Sequence, residues 1–259
     1  MTMKENVSIR TIVVDLDSTL LRTDKTISEY TAAVLKECRK NAIRIMVATA
    51  RPLRTAMPYC RTVDFDAMVV SNGARIIHGN HQTEYGISRE SAERVLNALT
   101  RYPNLRITVE TGDRAYANKP IADYETILTD DLVGVARSEG VAKILVHLDD
   151  SDTLALVRKE LPEDLYDSIA NGYLMQIMNK AATKWKGIQA MLDICNCSAA
   201  ETAYFGDDHD DVEPIKMCGI GIAVANGIEE VKAVADYIAE SNDADGVAAF
   251  IEEMILKKR

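Results

Sequence analysis

The sequence predicts an α/β protein whose doubly wound, Rossmann-like parallel-sheet core is interrupted by an inserted α+β domain. Short apolar runs of strand length alternate with amphipathic helical segments at the start and at the end of the chain, which is typical of a parallel sheet. The middle of the chain instead carries runs with a period of two, which favour a separate and more antiparallel sheet. We therefore predict a core of residues 1–82 and 180–259 and an inserted domain of residues 83–179.

The first core segment begins with an apolar run and continues with regular strand and helix signals. Ser28 is a typical helix N-cap, and Pro52 suits the first turn of a helix. We predict strands at residues 9–14, 43–48 and 67–70, and helices at residues 28–40 and from Pro52 onwards.

The remaining elements follow from the same periodicities. In the insert we predict helices at residues 88–100 and 151–161, and strands at residues 105–110, 143–148 and 173–178. In the last segment we predict helices at residues 184–194, 211–217, 227–235 and from 245 onwards, and strands at 202–206, 220–224 and 237–239. Because parallel strands of such a sheet end at one edge, residues that follow them are expected to meet there.

The bulk composition excludes several classes of function. The 259 residues are 47% apolar and carry 30 basic and 40 acidic side chains, a formal charge of −10, which argues against a broad nucleic-acid interface. Five cysteines, an odd number in a long chain, indicate no disulfide framework. Lys4 and Glu5 precede only a short apolar run, and no uncharged run reaches membrane-spanning length, so we expect no signal peptide, no membrane partner and a cytoplasmic protein. Its oligomeric state stays open.

Two aspartates, Asp15 and Asp17, directly follow the first predicted strand. Like charges at the end of a buried strand are costly unless a cation or a reaction uses them. The pair is therefore the first indication of a metal-assisted enzyme.

Three later segments supply complementary groups at predicted strand ends or helix starts. Thr49 offers a hydroxyl, Lys184 an ammonium group, and residues 207–211 four further aspartates. Carboxylates suit Mg²⁺, and a hydroxyl and an ammonium group suit phosphoryl oxygens. The residues alone thus predict metal-assisted phosphoryl transfer, with either Asp15 or Asp17 as the nucleophile.

These four segments, in this order, resemble the haloacid dehalogenase-like superfamily of aspartate-nucleophile phosphatases. The resemblance spans the whole chain. Residues 71–74 before the insert, and residues 225–227 and 245–248 after it, are similar to the Cof-type subfamily of capped phosphatases, in which the inserted domain is the cap.

The resemblance implies a role for each reactive side chain. Asp15 attacks phosphorus and forms an aspartyl-phosphate, and Asp17 protonates the leaving oxygen and then activates water. Thr49, with the adjoining Ala50, and Lys184 bind the phosphoryl oxygens.

The resemblance also implies a magnesium site. Its ligands are Asp15, Asp207 and Asp17, the last through its backbone carbonyl, and Asp211 supports or joins the metal shell. The sequence departs from the family pattern at Ser18, Ala50, Trp185 and Asp210, where glycine, glycine, glycine and asparagine are usual. None of these changes removes a nucleophile, a proton-transferring acid or a metal ligand.

The expected function is an Mg²⁺-dependent phosphatase for small phosphomonoesters, with sugar phosphates as the leading class. Two alternatives stay open: a phosphotransferase or sugar phosphomutase on the same scaffold, and a non-catalytic module that binds a phosphorylated ligand. Arg51 either contacts substrate or caps the following helix. The candidate substrate or cap contacts are Arg51, Asn72, Arg114, Tyr116, Lys119, Lys143 and Asp210.

Overall fold

The chain divides into two compact units. One unit takes in the chain up to Arg51, Thr55–Thr83 and the chain from Lys184 onwards, and the other takes in Pro52–Arg54 and Glu84–Thr183. The computed structural model describes residues 8–149, 151–170 and 172–257, with the side chain of Ser151 excepted. Lys4 and Glu5, on which the expectation about a signal peptide depends, lie outside the described residues.

The secondary structure follows the predicted alternation through most of the chain. The strands are β1 (Thr11–Val14), β2 (Arg44–Ala48), β3 (Ala67–Val70), β4 (Arg75–His78), β5 (His81–Glu84), β6 (Ile107–Thr111), β7 (Ala115–Ala117), β8 (Ile127–Leu128), β9 (Val141–His147), β10 (Leu165–Ala170), β11 (Leu174–Asn179), β12 (Thr202–Gly206), β13 (Ile220–Val224) and β14 (Tyr237–Ala239). The helices are α1 (Glu29–Lys40), α2 (Leu53–Cys60), α3 (Arg89–Leu99), α4 (Leu132–Ser138), α5 (Ser151–Glu160), α6 (Lys184–Ile194), α7 (Val212–Met217), α8 (Glu229–Val234) and α9 (Gly246–Phe250). Among the described residues, none of the helices combines the length and the apolar character that spanning a bilayer requires.

The first unit is built on an eight-stranded sheet in the order β14-β13-β12-β1-β2-β3-β4-β5. Neighbouring strands from β14 to β3 are parallel, and β1 lies between β2 and β12 with Val13 opposite both Met46 and Tyr204. This confirms the predicted doubly wound, parallel-sheet core. The strand order changes direction beside β1, which is where ligands bind in open α/β sheets.

Alternating residues of the central strands pack on opposite faces of this sheet. Val13 and Tyr204 belong to the buried cluster that includes α6 residues such as Ile188 and Met191. Phe205, the next residue along β12, instead meets Phe250 of α9 with its ring centroid 5.7 Å away. Helices thus cover both faces, and the strands are apolar throughout because neither face is left to solvent.

The sheet ends in a hairpin that the sequence analysis does not predict. β4 runs antiparallel to β3, and β5 follows after a turn at Gly79, whose φ is +57°. β5 (His81–Glu84) has four polar or charged residues that are mostly exposed. An exposed edge strand of this kind carries no apolar signal by which a sequence pattern could reveal it.

The second unit has a six-stranded sheet in the order β10-β11-β9-β6-β7-β8, antiparallel except for β7 and β8. Side chains of α3, α4 and α5 form one buried cluster with one face of that sheet. The sequence analysis does not predict α4, which spans only seven residues and begins where Asp131 caps the amide of Gly134 at 2.7 Å. Short helices depend on such local caps more than on periodicity.

Candidate active site

Asp15 lies at the carboxyl end of β1, where its backbone amide extends the sheet pairing to the carbonyl of Phe205 (3.0 Å). A single π-type turn, Leu16–Leu20, follows directly, and the amide of Leu20 donates back to the carbonyl of Asp15 (3.2 Å). The side chain of Asp15 is 8% exposed. The turn therefore holds a nearly buried carboxylate at the edge of the sheet.

The next strand along that edge, β12, ends in the acidic loop 207–211, and Asp211 organises this loop. Its Oδ2 accepts hydrogen bonds from the backbone amides of Asp207 (2.9 Å) and Asp208 (3.1 Å). Its Oδ1 accepts from the hydroxyl of Tyr204 (2.6 Å) and from Nζ of Lys184 (2.6 Å). These four donors engage both oxygens of Asp211, so its main contribution is to shape the loop.

Gly206 is required where the strand meets this loop. A Cβ atom at this position would lie 2.5 Å from Cβ of Asp211, which is closer than real side chains approach one another. Only glycine lets the strand end come so close to the buried carboxylate.

Lys184, the first residue of α6, supplies a buried positive charge. Its Nζ lies 3.1 Å from Oδ1 of Asp15 and 2.6 Å from Oδ1 of Asp211. Burial alone would lower its pKa, but Asp15, Asp211 and Asp210 outweigh that effect and raise the pKa of Lys184 well above its usual value. The lysine therefore keeps its charge at neutral pH and presents it to the strand ends.

Three carboxylates converge on one point beside Lys184. Asp15, Asp207 and Asp211 each place an oxygen within 4.8 Å of the others, and Thr19 donates to Asp207 at 2.6 Å. Burial raises the pKa of Asp207 to about 7, with repulsion from Asp211 adding to it. Burial also raises the pKa of Asp15, where repulsion from Asp211 and Asp207 counteracts the attraction of Lys184. The cluster holds more negative charge than one lysine balances, and its all-oxygen donor set fits a hard divalent cation.

The carboxylate of Asp17 is engaged elsewhere. Arg51 grips it with two hydrogen bonds, Nε to Oδ2 (2.5 Å) and a terminal nitrogen to Oδ1 (2.7 Å), and Lys25 adds a third (2.7 Å). Burial raises the pKa of Asp17, but the hydrogen bonds from Arg51 and Lys25 outweigh it and lower the pKa below its usual value. Arg51 thus contacts a candidate catalytic group, and its side chain also lies over the ring of Tyr59.

Thr49 and Asn72 follow β2 and β3 at the same edge of the sheet. Both are buried, and the amide of Asn72 donates to the carbonyl of Thr49 (3.2 Å). Oγ1 of Thr49 accepts from the amide of Arg51 (3.1 Å). Asn72 adopts a left-handed conformation (φ +54°) and its amide nitrogen donates to the carboxylate of Asp210. The third strand end therefore reaches the acidic loop through Asn72.

The candidate contacts in the second unit lie on different sides of its sheet. Tyr116 belongs to the cluster packed against the helices, and its hydroxyl accepts from Arg114 (3.1 Å) and donates to Glu139 (2.6 Å). Lys143 is 2% exposed and donates to Gln176 (2.8 Å). Alternation along β9 turns Lys143 to the face opposite Ile144, which packs with the helices. The four candidates, which include Lys119, therefore do not form one cluster.

The structure adds residues to the site that the sequence analysis does not select. Thr19 contacts Asp207, Lys25 contacts Asp17, and Tyr204 contacts Asp211. The position of Thr19, two residues after Asp17, is a signal that could have identified it. Tyr204 lies within an apolar strand and Lys25 in a polar turn, so neither stands out from its neighbours in sequence.

A doubly wound sheet that places an aspartate, a threonine, a lysine and an acidic loop at its carboxyl edge defines a class of phosphoryl-transfer enzyme. The sequence profile of the haloacid dehalogenase-like hydrolases matches residues 12–251, and the chain belongs to this family, in its Cof-type branch.

Similar proteins agree with this membership. The chain is 25% identical to 5-amino-6-(5-phospho-D-ribitylamino)uracil phosphatase YitU of Bacillus subtilis, over 93% of this chain and 96% of that protein. A second B. subtilis protein named for the same activity, YcsE, is 24% identical over 98% of each chain. A solved haloacid dehalogenase-like hydrolase from Bacteroides thetaiotaomicron superposes with a TM-score of 0.84 at 26% identity, covering 95% of this chain and 99% of that one. The chain is thus a hydrolase of the phosphatase type.

Proposed function

We propose that this protein is an Mg²⁺-dependent phosphatase that hydrolyses small phosphomonoesters through an aspartyl-phosphate on Asp15. The observation that carries the proposal is the convergence of Asp15, Asp207 and Lys184 at one edge of the sheet. Asp15 and Asp207, with the backbone carbonyl of Asp17, would hold the cation, and Asp211 would position them. The bound ion would offset the charge of the phosphoryl group and so lower the cost of bringing a carboxylate to it.

The chain's own residues divide the reaction into two displacements. An oxygen of Asp15 forms a bond to phosphorus as the bond from phosphorus to the ester oxygen breaks, and Asp17 donates a proton to that leaving oxygen. Asp17 then takes a proton from the water that attacks the aspartyl-phosphate, which frees Asp15 and inorganic phosphate. Lys184 and Thr49 hold the phosphoryl oxygens in both steps.

The contact between Arg51 and Asp17 adds a requirement to this scheme. A carboxylate gripped by a guanidinium group is ionised and carries no proton to donate. The same planar group pairs equally well with two oxygens of a phosphate. In our proposal Arg51 releases the carboxylate of Asp17 and binds the phosphate of the incoming substrate, and Asp17 takes up its proton at that stage.

Sugar phosphates are the leading substrate class. The two B. subtilis relatives are named for a phosphate ester of a ribityl group, a sugar alcohol. In our proposal residues 83–179 form the cap that supplies specificity contacts, and both relatives align across this region because more than nine-tenths of this chain is covered.

The test is phosphate release from a panel of phosphomonoesters, with and without Mg²⁺. The panel contains sugar phosphates, sugar-alcohol phosphates and 5-amino-6-(5-phospho-D-ribitylamino)uracil. We expect Mg²⁺-dependent release by the wild type, none by Asp15→Asn, and normal release by Asp193→Asn, which changes an exposed aspartate on α6. Release by Asp15→Asn at the wild-type rate would contradict the proposed nucleophile. If the phosphomonoester is consumed only after an acceptor alcohol is added, and a new phosphate ester forms in place of inorganic phosphate, the protein is a phosphotransferase instead.

A further inference from the structure

The turn after the candidate nucleophile has a backbone conformation that its sequence does not favour. Asp17 is extended (ψ 132°), but Ser18 is left-handed (φ +57°, ψ 4°). A residue with a Cβ atom enters this region only when its surroundings hold it there. The peptide unit between Asp17 and Ser18 is oriented by ψ of Asp17 and φ of Ser18, so the left-handed φ of Ser18 helps to decide where the Asp17 carbonyl points.

Two asparagines from distant parts of the chain hold this turn. The amide nitrogen of Asn226 donates to the backbone carbonyl of Ser18 (2.7 Å). Oδ1 of Asn226 in turn accepts from the backbone amide of Asn242 (2.9 Å), and the side chain of Asn242 donates to the carbonyl of Leu21 (2.9 Å). Asn242 is buried. The two asparagines are thus linked to each other and bind the middle of the turn, at Ser18, and the residue that follows it, Leu21.

Two aspartates that follow Asn242 in sequence accept hydrogen bonds from the chain just beyond the turn. Asp243 accepts from the amide and from the hydroxyl of Thr23, both at 2.8 Å. Asp245 accepts two hydrogen bonds from the guanidinium group of Arg22, of which the Nε contact is 3.1 Å. Of the contacts just described, the one from Asn226 is made to Ser18 itself. Asp243 is therefore a suitable control position, because the two hydrogen bonds described for it come from Thr23 and not from Ser18.

We propose that Asn226 is a positioning residue for the nucleophile loop. By holding the Ser18 carbonyl, Asn226 keeps Ser18 left-handed, and this aims the preceding Asp17 carbonyl at the acidic cluster. The inference rests on the proposed function, because that carbonyl is one of the donors assigned to the cation. Without Asn226, Ser18 relaxes toward ordinary backbone angles and the Asp17 carbonyl turns away.

The first experiment compares Asn226→Ala with Asp243→Ala in the full-length protein. The readouts are the Mg²⁺ dissociation constant by calorimetry, kcat and KM for the best substrate of the panel, and hydrogen exchange at the amides of Leu20 and Leu21. We expect Asn226→Ala to weaken Mg²⁺ binding about fivefold and to lower kcat about fivefold, since each is the effect of losing one hydrogen bond. KM should stay within about twofold, and exchange at Leu20 and Leu21 should accelerate. Asp243→Ala should leave all four within about twofold.

A second pair of variants separates positioning from general destabilisation. Glycine adopts the left-handed conformation without a steric cost. We expect Ser18→Gly alone to bind Mg²⁺ as the wild type does. When Asn226→Ala is added to Ser18→Gly, the Mg²⁺ affinity should fall by less than about twofold. If Asn226→Ala does not fold, Asn226→Asp replaces it, since it keeps the acceptor for Asn242 and removes the donor to Ser18, and Asp243→Asn, which changes the charge by one unit at a neighbouring position, is its control.

Two outcomes overturn the inference. The first is that the Asn226 variant matches the wild type in Mg²⁺ affinity and in amide exchange. The second is that the loss of Asn226 lowers Mg²⁺ affinity equally with serine and with glycine at position 18. The proposed function fails separately, if the wild type releases no phosphate in the presence of Mg²⁺. In that case amide exchange at Leu20 and Leu21, which needs neither metal nor turnover, still decides the role of Asn226.

Discussion

Asp210 is the residue at which this site departs most in charge from the family pattern. Where asparagine is usual, its carboxylate accepts a hydrogen bond from Asn72 and adds to the field that raises the pKa of Lys184. Asparagine would offer Asn72 the same acceptor without the charge. The extra negative charge therefore opposes the binding of a phosphate dianion while it tightens the hold on Lys184.

We expect Asp210→Asn to lower KM for a phosphomonoester about three- to tenfold, because one repulsive charge beside the bound phosphate is removed. The hydrogen bond to Asn72 should persist, so the unfolding midpoint should fall only by what the lost attraction to Lys184 contributes. Steady-state kinetics with the best substrate measures this. Glu213→Gln, which removes an exposed charge from the adjoining helix, is the control and should leave KM unchanged. An unchanged or higher KM in Asp210→Asn would show that the carboxylate does not repel the substrate.

Of the helices described, α6 contributes most directly to the site because its first residue is Lys184. One turn later, Gly187 lets the helix approach the sheet closely. A Cβ atom there would lie 2.6 Å from a methyl carbon of Val69 and 2.8 Å from Cα of Gly73. The close packing of Gly187 therefore determines how deeply the start of α6 lies at the sheet edge.

Substitution of Gly187 by alanine should displace α6. The added methyl group overpacks a contact with backbone, which costs about 1–3 kcal/mol of unfolding free energy. Lys184 would move with the helix, and we expect kcat to fall at least about tenfold. Denaturant unfolding and phosphate release measure the two effects. Gln189→Ala, on the exposed side of the same helix, should change neither. A Gly187→Ala protein with normal stability and rate would mean that the helix tolerates the shift.

At the scale of the whole molecule, residues near the two ends of the sequence lie together. Asp245 accepts hydrogen bonds from Arg22 and Thr31, more than two hundred residues earlier in the chain. Burial raises the pKa of Asp245, but the hydrogen bonds from Arg22, Ser28 and Thr31 outweigh it and lower the pKa below its usual value. The carboxylate therefore stabilises the fold only while it is ionised.

This linkage predicts a pH-dependent effect of Asp245→Asn. Because the pKa in the folded state is depressed, the contribution of Asp245 is complete above its unfolded-state pKa of about 3.9 and is lost as the pH falls through the folded-state value. We expect the variant to unfold about 3 °C below the wild type at pH 7, with a gap that narrows on acidification toward pH 3. Asparagine tolerates the left-handed conformation found at position 245, so the backbone is not strained. Thermal unfolding across this pH range measures the gap, and a constant gap would contradict the linkage.

Much of the fold and the candidate site could be predicted from local patterns. Apolar runs marked the central parallel strands, and the reactive residues directly followed those strands or began the next helix. Patterns failed for β4, β5 and α4, where exposure or short length removes the apolar period. They also did not identify Tyr204, and they marked residues 225–227 only as a family motif, because the partners Asp211 and Ser18 are specified by contacts and not by spacing.

The sequence by itself determined the α/β class, through its apolar periodicity, and the family, through the four motifs that follow predicted strands or begin predicted helices, because periodicity and motif spacing are local properties. Only the tertiary structure decided what each charged group does at the edge of the sheet. In the folded chain both oxygens of Asp211 accept hydrogen bonds. Arg51 binds the carboxylate of Asp17, and Asn226 binds the carbonyl of Ser18. The physical reason is that burial and pairing, which set the charge and direction of a side chain, depend on residues far away in the sequence.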